Sequence, residues 1–253
     1  VNLSRESEPE IFDAIQFGTI VENTRFIPGT RHIDYKNISV TQNTRTAYPI
    51  HYIPNAISPS RGGAPKNIFF LTCDAYGVFP PIAKLNASQA MYHFISGYTA
   101  KVAGTEAGVT EPQIVFSACF GEPFLPLHPT VYAKMLGEKM AENDVNVWLV
   151  NTGWSGGPFG TGNRIKLAYT RAMITAALNN KLDAVDFKEH SIFKVQMPMF
   201  CPGVPENILD PQNTWPDKES YSAKALQLAA HFINNFKKYS EYADQILAGG
   251  PQI

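Results

Sequence analysis

Two short apolar runs constrain this chain more than any other feature. Asn67-Ile68-Phe69-Phe70-Leu71-Thr72 and Val145-Asn146-Val147-Trp148-Leu149-Val150 are rich in aliphatic and aromatic side chains and are bounded by turn residues. Runs of that length and polarity are read as buried strands. Helical spacing appears around them, so the chain reads as one mixed α/β unit with an antiparallel part near its start.

The helix signals are local. Ser7-Glu8-Pro9-Glu10 reads as a capping box opening a helix with Ile11, Ala14 and Ile15 on one face, stopped by Gly18. Asn86 and Gln89 introduce a second helix through Met91, Phe94 and Ile95 to Gly97. A third starts at Pro129 with Tyr132, Leu136 and Met140 in line, and a fourth covers Tyr169 to Asn180. The last is expected from Asp217 to about Tyr239, burying Leu226, Ala230, Ile233 and Phe236. Before the first apolar run, Ile20 to Ile27 and Ile33 to Val40 flank Pro28-Gly29-Thr30, a hairpin connection, and residues 55–66 form a loop by composition.

Charge and cysteine content narrow the function classes. A net charge of -1 without any Lys or Arg run gives no reason to expect nucleic acid or an anionic membrane as partner. No apolar stretch approaches the roughly 18 residues that a membrane span needs. Cys73, Cys119 and Cys201 are odd in number and far apart, which predicts reduced, buried thiols and an intracellular, cytoplasmic setting. No metal-ligand spacing occurs, and His93 and His128 read as structural. The chain starts at Val1 on a helix signal, which is read as a piece of something longer.

Three segments have the residues for chemistry. The stretch from Gly156 to Arg164 is glycine-rich, follows an apolar run and leads into a helix, where backbone approaches ligands. It lacks the Gly-x-x-x-x-Gly-Lys-Ser/Thr pattern of a phosphate loop and the Gly-x-Gly-x-x-Gly pattern of dinucleotide sites. Arg164 can stack on a base or bind an anion, and Thr170 can either contact a ring nitrogen or cap the helix. Asn43-Thr44-Arg45-Thr46-Ala47-Tyr48-Pro49 sets an arginine among hydroxyls, suited to phosphate or simply to solvent. Lys101 to Pro112, glycines around a polar middle, reads as a closing lid or a static loop. Asp74, just past a strand end, is read as a turn or cap residue with a catalytic role as the other choice.

Together these stretches resemble the ATP-dependent phosphoenolpyruvate carboxykinases. The resemblance is carried by Glu8-Pro9-Glu10-Ile11, Asn43-Thr44-Arg45-x-x-Tyr48-Pro49, Phe70-Leu71-Thr72-x-Asp74-Ala75-x-Gly77-Val78, Ala103-Gly104-Thr105-Glu106, Phe116-Ser117-Ala118-Cys119-Phe120-Gly121, Asn151-Thr152-Gly153-Trp154, Arg164-Ile165 and Tyr169-Thr170-Arg171. It implies a fold, the C-terminal mononucleotide-binding half of a carboxykinase, spanning residues 1–253 with the lid at 101–112. It also implies a reaction: oxaloacetate and ATP give phosphoenolpyruvate, ADP and carbon dioxide, a lyase step of gluconeogenesis. Residue by residue, Glu8 matches a nucleotide-contacting acid, although a carboxylate there also suits the helix N-terminus. Arg45 matches the arginine between the transferred phosphoryl group and its acceptor. Arg164, Ile165 and Thr170 match the adenine pocket. The phosphate loop, the divalent metal site (Mg or Mn) and the main oxaloacetate contacts are implied to lie in a missing N-terminal portion, so this chain alone is expected to be inactive. A non-catalytic nucleotide-binding or assembly module with the same fold is the alternative.

Overall fold

The computed structural model describes residues 3–6, 8–40, 44–101, 111–242 and 244–253. Ser7 and Asn43 lie outside the described residues, as does 102–110, almost the whole of the expected lid. The chain divides into two compact units, Val1–Gly63 with Lys101–Glu111, and Ala64–Ala100 with Pro112–Ile253.

The first unit opens with helix α1 (Pro9–Asp13), whose N-cap is Glu8, one residue later than the capping-box reading placed it. The single strand expected from Ile20 to Ile27 is broken at Asn23, which adopts a φ of 62°. Its two parts pair with different partners. Strand β1 (Ile20–Glu22) runs antiparallel to β4 (Arg45–Ala47), and β2 (Arg25–Phe26) forms a hairpin with β3 (Ile33–Asp34) around Pro28-Gly29-Thr30. Beyond Asp34 the expected strand gives way to turns, because Asp34 and Asn37 side chains accept the Lys36 and Ser39 amides.

The second unit is built on a five-stranded sheet whose first strands in the chain are β5 (Asn67–Thr72) and β6 (Ile82–Leu85). Helix α2 (Ala87–Ser96) follows β6, opened by the Asn86–Gln89 capping box and closed by Gly97 in the left-handed conformation. A two-stranded pair, β7 (Tyr98–Lys101) and β8 (Gln113–Phe116), precedes α3 (Pro129–Asn143). Then come β9 (Asn146–Asn151), the short strands β10 (Trp154–Ser155) and β11 (Asn163–Arg164), and α4 (Leu167–Leu178). The chain continues through β12 (Phe187–Glu189), β13 (Gln196–Pro198), α5 (Glu206–Leu209), α6 (Lys218–Phe236) and α7 (Asp244–Leu247).

Strand order in this five-stranded sheet is β12-β13-β6-β9-β5. Only β5 and β9 are parallel, in register from Asn67↔Asn146 to Thr72↔Asn151. The four central residues of β9, Val147–Val150, are all apolar because both faces of the strand are covered. Val147 and Leu149 join one core with Tyr92, Ile95 and Phe232, while Trp148 and Val150 join a second with Met173, Ala176 and Leu182. In α6 the buried stripe is Tyr221, Ala225, Leu228, Ala229, Phe232 and Phe236. Leu226 and Ala230 are exposed and Ile233 half-buried, so the expected stripe was rotated by about one residue. The aromatic cluster of Phe79, Tyr92, Tyr98 and Phe193 around Phe232 fixes that rotation.

Candidate functional site

Because β5 and β9 are parallel neighbours, their C-terminal ends emerge side by side, the place where open α/β sheets bind ligands. Two loops rise there, 73–79 after β5 and 152–165 after β9. Thr152 donates its amide and its hydroxyl to the Thr72 carbonyl at 2.8 and 2.9 Å. Asn151, fully buried, accepts the Asp74 and Gly153 amides and donates to the Phe79 carbonyl. The two loops are therefore one hydrogen-bonded body.

Asp74 organises the first loop. Its carboxylate accepts the amides of Tyr76, Val78 and Phe79 at 2.6–2.8 Å and the Tyr98 hydroxyl at 2.8 Å. The turn reading of Asp74 describes these contacts. Burial pushes its carboxyl pKa up, and the donors offset part of that push. Behind the loop, Tyr221 donates to the Val78 carbonyl at 3.2 Å and lies 2.8 Å from His190 Nε2. His190 Nδ1 accepts the Ile192 and Phe193 amides, so Nε2 carries the proton and donates to the tyrosine. Burial lowers both His190 and His93 to about 4. Trp215 completes the support, donating to the Gly77 carbonyl at 2.9 Å.

The glycines are packing requirements. A Cβ on Gly153 would stand 2.2 Å from the Asp74 carbonyl oxygen, and one on Gly77, whose φ is +71°, 2.2 Å from the Gly157 oxygen. The glycine-rich stretch is thus no open loop. It is the tip of an antiparallel hairpin in which Trp154 faces Arg164 and Ser155 faces Asn163.

Arg164 ends that hairpin, exposed but held. Its Nε donates to the Thr152 carbonyl at 2.7 Å, and its guanidinium carbon lies over the Trp154 ring, 4.9 Å from the centroid. The Ile165 amide donates to the Gly153 carbonyl at 2.9 Å, pinning the side chain, itself mostly buried, beside the hairpin. Helix α4 then starts, with Lys166 as its N-cap. Thr170 is consequently not the cap; it sits buried in the first turn. Cys73 lies at the same edge. Burial raises its thiol pKa more than nearby Arg164 lowers it. Of the other thiols, Cys201 is buried but Cys119 only half-buried, short of the expectation.

The structure thus brings Arg164, Ile165 and Thr170 onto one continuous stretch of the second unit. Arg45 and Glu8 belong to the first. Arg45 is an exposed residue of β4 opposite Glu22 and lines a pocket of about 250 Å³ with Ile20, Glu22, Thr46 and Ala47. Glu8 is half-buried and stands at the N-cap of α1, at the helix terminus where a carboxylate is favoured, although its side chain makes no capping bond. From the sequence, Trp154 was quoted only within a stretch that carries the resemblance, and Asp74 was weighed as a turn residue or a catalytic one; neither was given a part in the base site. A tryptophan directly after Asn-Thr-Gly at a strand end was the one available signal. Among the described residues no three His, Cys, Asp or Glu side chains come together as a metal-binding group, and no helix is long and apolar enough to cross a membrane.

A profile of the phosphoenolpyruvate carboxykinase family matches residues 1–207. The chain is 60% identical over 252 residues to the phosphoenolpyruvate carboxykinase (ATP) of Flavobacterium johnsoniae, covering 99% of this chain and 47% of that protein. It is 58% identical over 252 residues to the enzyme of that name from Caldanaerobacter subterraneus, covering 100% of this chain and 48% of that protein. For the Brevibacillus brevis protein, also so named, the figures are 57% over 253 residues, 100% and 48%. The chain therefore spans about half the length of the curated relatives it matches.

Proposed function

Because this chain belongs to the phosphoenolpyruvate carboxykinase family, we propose that its full-length protein turns oxaloacetate and ATP into phosphoenolpyruvate, ADP and carbon dioxide in the cytoplasm. The observation that carries the reading is the named relatives' 57–60% identity along essentially the whole of this chain. The arrangement at the carboxyl ends of β5 and β9 supports the nucleotide part of it.

In that reaction the carbon–carbon bond to the leaving carboxylate breaks and its electron pair stays behind as an enolate. The enolate oxygen then takes the terminal phosphoryl group of ATP. Negative charge moves toward the transferred group, so the useful protein group is a cation that engages only as it moves. Arg45 supplies it: a planar fork suited to phosphoryl oxygens, exposed and unengaged. Arg164 has the other role, presenting a planar, delocalised cation to the adenine ring. Ile165 gives the base an apolar wall, and the Thr170 hydroxyl hydrogen-bonds a ring nitrogen. Glu8 is placed against the nucleotide as an acceptor. The described residues do not fit a divalent metal, so no step here runs through one.

The test is an assay of the full-length protein. Carbon dioxide and phosphoenolpyruvate should form only when ATP and oxaloacetate are both present. A folded, full-length protein that binds ATP and forms neither product overturns the assignment, leaving a nucleotide-binding module.

A further inference from the structure

We infer that Trp154 is a positioning residue for the nucleotide: its indole is a fixed plate that sets the plane of the Arg164 guanidinium, and the purine stacks on the outer face of that guanidinium. The inference rests on the reading of Arg164 as the base contact.

An exposed arginine normally samples many rotamers, and a ligand that uses it must first freeze them. Arg164 is restrained before any nucleotide arrives. Its Nε is tied to the Thr152 carbonyl at 2.7 Å and its Cζ sits 4.9 Å from the Trp154 ring centroid. The plate is held in its turn. Trp154 is 8% exposed, meets the edge of Phe159 at 5.5 Å, and donates its amide to the Asp74 carbonyl at 2.9 Å. It also faces Arg164 across the β10–β11 ladder. Fixation thus passes from the Asp74 loop to the indole and from the indole to the guanidinium.

What remains of Arg164 is suited to a base. Among the described residues its terminal amino groups have no partner, and the side chain is exposed, so one face of the planar cation stays open. Such a cation stacks on a nucleobase much as an aromatic ring does. The result is a layered stack of indole, guanidinium and purine. Tryptophan is the strongest aromatic partner for a cation, whereas an aliphatic side chain of similar bulk fills the space without attracting the charge.

The test is a double-mutant cycle on the full-length enzyme, read as KM for ATP and kcat. Trp154→Leu should raise KM about three- to tenfold with kcat within about twofold, and Trp154→Phe should stay within about twofold in both. On an Arg164→Leu background, Trp154→Leu should add nothing, because the indole acts through the guanidinium. Multiplying effects, or a normal KM in Trp154→Leu beside a raised one in Arg164→Leu, overturn this inference alone. An unchanged KM in Arg164→Leu removes Arg164 from the base site and the inference with it. If circular dichroism shows Trp154→Leu unfolded, the cycle is run with Trp154→Phe. A rise of about twofold that vanishes beside Arg164→Leu supports the stack. One that persists overturns it.

Discussion

Arg164 and Arg45 both stand on short antiparallel strands and both are exposed, yet their surroundings differ. Arg164 is tied by its Nε and laid on an indole, which is itself backed by the Asp74 loop. The Arg45 side chain makes no hydrogen bond, ion pair or ring contact among the described residues, and Glu22, its partner across the ladder, forms no ion pair with it. A cation held in place in advance suits a ligand part that does not change during reaction. A cation left free suits charge that appears only as bonds move. The contrast therefore predicts a division of labour: Arg164 for ground-state binding, Arg45 for turnover.

The largest expected effect tests the free arginine. Arg45→Ala in the full-length enzyme should lower kcat by about 10³- to 10⁵-fold, the range for removing one arginine from a phosphoryl-transfer site. A loss of under tenfold, measured in steady-state assays, would break the contrast at its first term.

Next comes acid sensitivity of the unit that holds Arg164. His93 and His190 are both lowered to about 4 by burial. Below about pH 6.5 the unfolded chain binds protons that the folded chain refuses, so stability falls as pH drops from about 6.5 toward 4. The slope is about 1.4 kcal/mol per pH unit per histidine. Melting curves at pH 7 and pH 5 should show a smaller acid-induced drop for His93→Leu than for wild type. Identical drops contradict it.

Smaller effects separate the adenine contacts. Arg164→Leu should raise KM for ATP about tenfold, the scale of a partly desolvated cation–π contact, with kcat nearly unchanged. Thr170→Val keeps shape and burial while deleting one hydroxyl, and should raise the same KM about fivefold. If either change lowered kcat while leaving KM alone, its residue would belong with Arg45.

Much of this frame was legible in the sequence, for physical reasons that also mark where legibility stopped. Strand β5 was read to the residue and β9 to within one: burial on both faces makes Val147–Val150 of β9 an apolar run, whereas β5, equally apolar in sequence, is an edge strand with Leu71 exposed. Helix α2 announced itself through the Asn86–Gln89 box and Gly97. Strands β6, β12 and β13 were missed. Each is three or four residues long and is defined by an antiparallel neighbour, not by its own composition. Helix α6 was found but turned, since Leu226 and Ala230 mimic a stripe that bulky Phe232 and Tyr221 actually set. The glycine-rich stretch hid a hairpin, because Gly157 and Gly162 are set by close approach of the two arms to each other, which composition alone reads as a loop. Asp74 could be placed in a turn, but its four donors come from folded geometry. Arg45, Arg164, Ile165, Thr170 and Glu8 were named by resemblance. The different restraint of the two arginines was invisible until their surroundings were known.

One measurement bears on the division of labour without relying on turnover. Equilibrium ATP affinity, taken by calorimetry on full-length wild type, Arg45→Ala and Arg164→Leu, reads binding alone. The account predicts weakening of about tenfold for Arg164→Leu and less than about twofold for Arg45→Ala. Equal weakening in the two variants, or a greater loss at Arg45, would contradict it.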